Sequence, residues 1–585
     1  MKVRAFFSTL VIVVVALLVV GVGGFVGLTS RGPLALLSVG GQEVPTATPF
    51  VPKNAPVMVS LLTRPDHLSD LWLRLAAPQN RREAQAEVSR LEKSLLAGTG
   101  LTYENDIRPW LGNEITFAVT DADLDRNPDN GNQPGYLLVM SCRDSERAKA
   151  VLELFWQKRA IAGDSLVFEQ FAGSRLIYGQ QLAPQTQQPA ADEAPKTIAS
   201  ALVGQQFLLL ANNPSVIQRA LTAAQARDLN LDQDLAYRKA LASFPSNRLA
   251  LAVVNVPASL NWLGLSAQPT LALAANELGI ADGVFDRAVL SLRPHRHGLL
   301  ADTALLAAAG HPFQPQTVAT ESSAAVEAAG QFLPADTPLA AVGTDLNQLW
   351  QTVRQTLPYY AAAAPALQPL WEHLQAPLAH QPTDSLLGWI QNEYALGLVS
   401  GSLAAPGWVL AAQPPQGTPI AKQLDQLAQK QGLSVGPLEL GGQQVTAWTH
   451  LSVVPSGTAK GGRRAAEALS VATEVDGLHT QLNGYELLSN SPTALYQALQ
   501  SSDRSLLDAS HWKEMTAAFS QPNGGYFYLD WQTLKPDLLS RTPWLRLIET
   551  VGQPLLSHLQ AVAVTSYGQD EQVQSGGVFL RLSSS

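Results

Sequence analysis

The stretch from Asp121 to Asn132 carries carboxylate and amide side chains at nearly every second position. Oxygen ligands at such spacing are those that Ca²⁺ prefers in protein loops. An EF-hand loop has glycine at its sixth position and glutamate at its twelfth, but Arg126 and Asn132 stand there in this stretch. The sequence therefore favours a solvated turn and keeps calcium as a side hypothesis, with the candidate ligands Asp121, Asp123, Asp125, Asn127 and Asp129.

A second chemical candidate is the pattern Trp-x-x-Asn-Glu, which occurs twice in the chain. Two glutamates facing each other across a cleft could perform acid/base catalysis. We favour a structural role, in which the tryptophan packs at a corner and the Asn and Glu side chains bind backbone groups. This repeated motif consists of Trp110, Asn113, Glu114, Trp389, Asn392 and Glu393.

The remaining reactive side chains indicate no catalytic site. His295 and His297 lie in a turn, and they could bind zinc only with further ligands that the sequence does not identify, so surface histidines are favoured. Cys142 is the single cysteine, which excludes an intramolecular disulfide, and it ends an apolar run typical of a buried strand. The sequence contains no nucleophile elbow, zinc-protease motif or P-loop. We therefore predict a protein that is not an enzyme and has no cofactor apart from the hypothetical calcium.

An internal repeat indicates how these residues are positioned. The stretch 50–57 reappears as 332–339, the tryptophan motif recurs at nearly the same spacing, and Asn213-Pro214 recurs as Ser491-Pro492. Each copy spans about 250 residues, which fits a domain, and the period is far too long for a solenoid repeat.

Short apolar or alternating runs bounded by turn residues predict many strands, and the tight turn at 204–206 indicates hairpins. Helices are predicted at 83–96 and 145–158, and others should begin at Pro214 and Pro492 after the N-caps Asn213 and Ser491. The predicted class is α+β. Two tandem copies of one domain, each a mostly antiparallel sheet with helices packed on it, would follow an N-terminal transmembrane helix.

The membrane prediction rests on the uncharged run from Leu10 to Leu28, which is long enough to approach the thickness of a bilayer. Lys2 and Arg4 before this run place the N-terminus in the cytoplasm. The predicted organisation is a cytoplasmic N-terminus (1–9), a transmembrane helix (10–28), a Pro/Gly/Thr linker (29–49), a first repeat domain (50–309), a connector (310–331) and a second repeat domain (332–583).

Composition narrows the range of partners. The 585 residues are 46% hydrophobic and 15% charged, as expected for a folded protein with sizeable cores. The formal charge of −9 provides no overall positive charge to attract a nucleic-acid backbone, so nucleic acid is not expected as a partner.

The membrane anchor and three motifs resemble a family of cyanobacterial membrane-anchored exported proteins catalogued as a domain of unknown function. The motifs are Pro52 to Pro56, Ile107 to Glu114, and Asn212-Asn213-Pro214. The resemblance covers nearly everything after the linker. It implies a fold and a location but no activity, cofactor or catalytic residue.

We expect a membrane-tethered, extracytoplasmic, non-catalytic interaction or assembly module. It would be a single-pass protein with most of its chain in the periplasm or thylakoid lumen, and another envelope or membrane protein would be its partner. The alternatives are a protein that binds a lipid, pigment or peptide in an apolar groove within or between the repeats, and a hydrolase with an unrecognised site.

Overall fold

The structure is a computed structural model of the full chain. It describes residues 44–64, 101–127, 133–180, 198–262, 285–310, 312–313, 315, 328–344, 346, 389–402, 405–417, 419–456, 468–501, 504–541 and 559–582.

The described residues form a single 20-stranded sheet. The strands of the first half are β1 (Val57–Leu61), β2 (Leu111–Asp121), β3 (Gly135–Cys142), β4 (Ser165–Phe171), β5 (Ser174–Gln180), β6 (Ala199–Val203), β7 (Phe207–Ala211), β8 (Ala250–Asn255), β9 (Phe285–His295) and β10 (Gly298–Ala307). Those of the second half are β11 (Leu339–Thr344), β12 (Glu393–Ser402), β13 (Ala405–Ala412), β14 (Ser434–Leu440), β15 (Gln443–Ser456), β16 (Ala468–Leu482), β17 (Tyr485–Ser489), β18 (Gly525–Asp530), β19 (Leu559–Gln569) and β20 (Val573–Leu582).

Every pairing in the sheet is antiparallel. From one end to the other the strands follow the order β4-β5-β6-β7-β3-β2-β1-β8-β9-β10-β20-β19-β18-β11-β12-β13-β17-β16-β15-β14. The second half therefore repeats the pairing order of the first, and the two meet at the β10–β20 ladder. A pseudo-twofold axis passes near the middle of that ladder, where Asp302 lies opposite Gly577.

The predicted α+β class, with two tandem domains that each have their own sheet, is wrong. One antiparallel sheet runs through both halves, and the described helices, between 7 and 17 residues long, pack on its two faces. The physical reason is that the last strand of each half pairs with the last strand of the other, so the two sheets merge. A strand's alternating pattern predicts which face is buried, but it does not identify a pairing partner hundreds of residues away.

The helices cover both faces of the sheet. On β10, Ala304 and Leu306 belong to the main core of the first half and Leu300 to that of the second, so both main cores lie on one face. Leu299 points to the other face, where smaller clusters are buried. The helices are α1 (Ser145–Ile161), α2 (Pro214–Gln225), α3 (Leu235–Ser243), α4 (Val256–Trp262), α5 (Ile420–Lys430), α6 (Pro492–Leu499), α7 (Ser510–Thr516) and α8 (Trp531–Arg541).

Three predicted helix starts are confirmed. Helix α1 begins after Asp144, whose carboxylate accepts a hydrogen bond from the Arg147 N–H. Helices α2 and α6 begin at prolines, and the Asn213 and Ser491 side chains accept hydrogen bonds from backbone N–H groups in their first turns. These starts depend on local chemistry alone.

Other predictions fall outside the described residues, among them the transmembrane segment at 10–28 and the helix at 83–96. None of the helices that the structure does describe has the length and hydropathy needed to cross a bilayer. The end of the predicted linker is part of the folded first half, because Ala47 and Thr48 are buried there and Thr48 begins a 3-10 helix.

Three charged pairs lie near the β10–β20 ladder, and of these three only Lys239–Asp570 joins one half to the other. On the sheet, Arg293 Nε lies 2.7 Å from Asp302 Oδ2, and the second guanidinium nitrogen lies 3.3 Å from Oδ1. Lys239 on α3 pairs with Asp570 in the β19–β20 turn, and its Nζ lies 2.8 Å from Oδ2 of that aspartate. On the other side of the axis, Glu514 on α7 pairs with Arg581 at 3.1 Å.

We predict that Asp302→Asn lowers the free energy of unfolding by about 2 kcal/mol, because it leaves the Arg293 guanidinium half-buried beside a neutral amide. Urea unfolding followed by tryptophan fluorescence measures this loss. The matched control is Asp570→Asn, which breaks an exposed pair and should cost under about 0.5 kcal/mol. Equal losses in the two variants would contradict the assignment of Arg293–Asp302 as the buried pair.

Candidate functional site

Glu114 joins the start of the first half to its sheet. Its carboxylate is fully buried and accepts hydrogen bonds from the backbone N–H of Thr46 at 2.8 Å, that of Ala47 at 2.9 Å, and the Thr116 hydroxyl at 3.0 Å. The Thr46 hydroxyl also donates to it. Both carboxylate oxygens are therefore satisfied, and two of the donors are backbone groups of the segment that leads into the core.

Glu393 has the equivalent place in the second half. One carboxylate oxygen accepts from the Ala328 N–H at 3.1 Å, at the start of the 3-10 helix Ala328–Phe332. The other accepts from the Tyr485 hydroxyl, whose pKa is raised first by burial and then by this carboxylate. The partners of each glutamate lie within its own half, so Glu114 and Glu393 do not form a catalytic pair.

The other members of the repeated motif have different surroundings in the two halves. Trp110 is buried and its indole N–H donates to the Asp106 carbonyl oxygen at 2.6 Å, whereas the buried Trp389 indole nitrogen has no hydrogen-bond partner among the described residues. Asn113 is half-buried beside a bulge in the β2–β3 pairing, and Asn392 is exposed. In each half the tryptophan of the motif lies shortly before a strand, with β2 after Trp110 and β12 after Trp389.

The acidic loop is held by contacts within the protein. Asp121 forms an ion pair with Arg219 on α2 and accepts the N–H of Asp123 at 3.2 Å. Asp123 accepts the Gln133 N–H at 3.1 Å, and Asp125 accepts the Asn127 N–H at 3.0 Å. Asp129 lies outside the described residues. Calcium binding by this loop stays a side hypothesis.

No group of three or more His, Cys, Asp or Glu side chains in the described part of the chain is arranged to hold a metal ion. His295 packs edge-to-face on Phe579 with ring centroids 5.1 Å apart, and burial, His297 and Arg293 lower its pKa to about 4. Cys142 is partly buried, and this burial raises the pKa of its thiol to about 11. Neither side chain is poised for chemistry at neutral pH.

A buried histidine in the second half is a further candidate, and no motif in the sequence indicated it. His479 on β16 places Nδ1 2.7 Å from Glu486 on β17 and Nε2 3.0 Å from Asp425 on α5. The Trp448 indole N–H also donates to Asp425 at 2.9 Å, and its ring lies 5.3 Å from the imidazole ring. The signals that could have revealed the site were a histidine and a glutamate on adjacent apolar strands.

Both ring nitrogens of His479 face carboxylates, so both act as donors when the ring carries its second proton. Burial is the largest single influence and lowers the pKa, but the hydrogen bonds and charges of Glu486 and Asp425 together raise it above its ordinary value. The cluster links α5 to the sheet. With neither ring nitrogen left for a substrate, it is arranged as a pH-sensitive contact rather than as a general base.

The two ends of the sheet are the remaining candidate site. Among the described residues, strand β4 pairs only with β5, and β14 pairs only with β15. Both hairpins close with two-residue turns of positive φ, Ala172-Gly173 (49° and 78°) and Gly441-Gly442 (63° and 83°). These values are those of a type I′ turn, in which the residues that flank the turn form a hydrogen-bonded pair.

The turn geometry fixes which backbone groups point outward. Phe171 and Ser174 form a hydrogen-bonded pair, so the backbone N–H and C=O groups of Phe171 and of every second residue before it point to β5. The backbone groups of the alternate residues, Leu166, Phe168 and Gln170, point to the open side of β4. By the same rule the outward residues of β14 are Val435, Pro437 and Glu439. Phe168 and Pro437 thus occupy equivalent central positions.

The sequence profile of the family described as "Protein of unknown function (DUF3352)" matches residues 10–582. The chain belongs to the DUF3352 family. The match covers both halves of the sheet and all of the motifs described above. The description of the family assigns no activity to its members.

No curated protein matches the DUF3352 chain. A solved structure titled "Structure of crystal form I of TP0453" is similar to it at 10% identity, over 45% of this chain and 79% of that chain, with a TM-score of 0.23. A TM-score of this size supports no conclusion about fold or function.

We predict that Glu114→Gln destabilises this DUF3352 protein more than Glu393→Gln, by about 2–3 against about 1 kcal/mol, because Glu114 satisfies more buried donors. Thermal unfolding of the two variants provides the comparison. Glu104→Gln, which breaks an exposed pair with Arg108, is the control and should change stability by under about 0.5 kcal/mol. A ranking in which Glu393→Gln costs more would show that Glu114 does not anchor the segment before β1.

The His479 cluster should make stability depend on pH. Because the folded pKa of His479 is raised above the unfolded value of about 6.5, its contribution is complete below about pH 6.5 and is lost as pH rises through the folded pKa. Melting temperatures between about pH 5.5 and 9 should therefore show a decline in the wild type that His479→Gln lacks. His450→Gln removes an exposed histidine whose pKa the Asp476 carboxylate also raises, and because solvent screens that pair, this variant should keep most of the decline. Parallel curves for the wild type and His479→Gln would rule out this role.

Proposed function

We propose that this DUF3352 protein is a non-catalytic interaction module that binds protein partners through the end strands of its sheet. The observation that carries the proposal is that β4 and β14, equivalent strands in the two halves, each pair on one side only within the part of the chain that the structure describes. An end strand presents a row of unpaired N–H and C=O groups, which can pair with a strand of another chain.

The polar clusters support this proposal over catalysis. Glu114, Glu393 and Asp302 bind groups of the fold itself, and the His479 ring is enclosed between two carboxylates. Each arrangement keeps an element in place on the sheet.

The site of action is proposed from the sequence. The apolar N-terminal run and the resemblance to cyanobacterial exported proteins support a position at a membrane, with most of the chain in the periplasm or thylakoid lumen. Another envelope or membrane protein is then the partner that the end strands would meet.

Photo-crosslinking in native membranes tests the proposal. A photoreactive amino acid at Gln170 on β4 or at Glu439 on β14 should give discrete protein adducts, because both side chains are exposed at an end of the sheet. The control is the same amino acid at Arg227, an exposed residue after α2. Adducts of equal yield at all three positions, or at Arg227 alone, would overturn the proposal.

A further inference from the structure

The two ends of the sheet differ in their ability to accept another strand. Proline has no backbone N–H, so Pro437 removes the central outward donor of β14 and projects its ring there. Natural sheets commonly use proline in this way to prevent association at an edge. Strand β4 has Phe168 at the equivalent place and contains no proline, so its outward row of donors and acceptors is complete.

The β4 edge also presents an apolar side chain. Phe168 is 55% exposed, and the Arg175 guanidinium lies over its ring, 4.8 Å from the centroid. Glu169 is the only charged residue of β4, and one of its oxygens accepts a hydrogen bond from Gln218 on α2 at 2.8 Å. The charge of Glu169 is therefore held toward the face that α2 covers and not along the open edge.

Strand β4 is compatible with antiparallel pairing to a second copy of itself. The outward residues Leu166, Phe168 and Gln170 are symmetric about Phe168, so a second β4 strand running antiparallel would place Phe168 opposite Phe168 and Leu166 opposite Gln170. All outward N–H and C=O groups would then find partners in the facing strand. The intervening pairs would set Val167 opposite Glu169, so no like charges face each other.

We infer that β4 is the docking edge for a second copy of this chain, which pairs antiparallel with it about Phe168. This inference deepens the proposed function by naming the partner of one sheet end. The contact is isologous, because each copy contributes the same strand, and the proline in β14 prevents the other end from extending the assembly. The expected product is a closed dimer and not a filament.

Sedimentation equilibrium of the full chain in mild detergent provides the test. The wild type should show a monomer–dimer equilibrium, and Phe168→Pro should weaken association at least about tenfold. Phe168→Pro should still fold, because β14 tolerates proline at the same place in the same hairpin geometry. The reciprocal variant, Pro437→Phe, restores the central donor of β14 and should give species larger than a dimer.

A second variant distinguishes loss of the dimer contact from misfolding of Phe168→Pro. Phe168→Glu keeps the backbone donor and places a carboxylate beside Arg175, but it sets two like charges opposite each other at the twofold axis of the dimer. It should therefore also weaken association at least about tenfold. A dimer that persists unchanged in both folded variants would overturn the inference.

The outcomes separate this inference from the proposed function. A wild type that is monomeric at every concentration overturns the second-copy inference. If the Gln170 position still crosslinks to a different protein, and Phe168→Pro removes that adduct, the proposed function stands with another partner. If no adduct forms at either sheet end, both the inference and the proposed function fail.

Discussion

The pairing of β10 with β20 is the constraint on which the rest of the structure depends. Each half supplies its last strand to the other, so two sets of strands become one antiparallel sheet without an internal edge. The pairing also places both main cores on the same face and brings Arg293 and Asp302 to the pseudo-twofold axis. Because the order of strands is mirrored about this ladder, the strands left at the two ends are equivalent members of their halves.

Buried charge in this protein is used to attach segments to the sheet. Glu114 binds the segment before β1, Glu393 binds the segment before β11, and His479 links α5 to the sheet through two carboxylates. Removing one partner from such a site leaves a buried group unsatisfied, which costs more than the net gain of an ordinary hydrogen bond. The two halves keep equivalent positions for these attachments but use different partners, as Tyr485 beside Glu393 illustrates.

The equivalence of the halves makes their differences informative. The same hairpin with the same turn geometry carries Phe168 at one end of the sheet and Pro437 at the other. One end keeps the donors that strand pairing requires, and the other lacks the central one. A sheet with two equivalent open ends could extend without limit, so blocking one end gives a physical basis for a finite assembly.

The sequence by itself determined the local features: the helix starts at Asp144, Asn213 and Ser491, the strand-rich composition, and membership of a family without a known activity. Caps and turns depend on neighbouring residues, so their chemistry is visible in the sequence. Only the tertiary structure decided that the strands form one sheet, that His479 meets Asp425, and that β4 and β14 lie at the ends. These features depend on contacts between distant residues, and neither the period of a strand nor the type of a side chain specifies its partner across the fold.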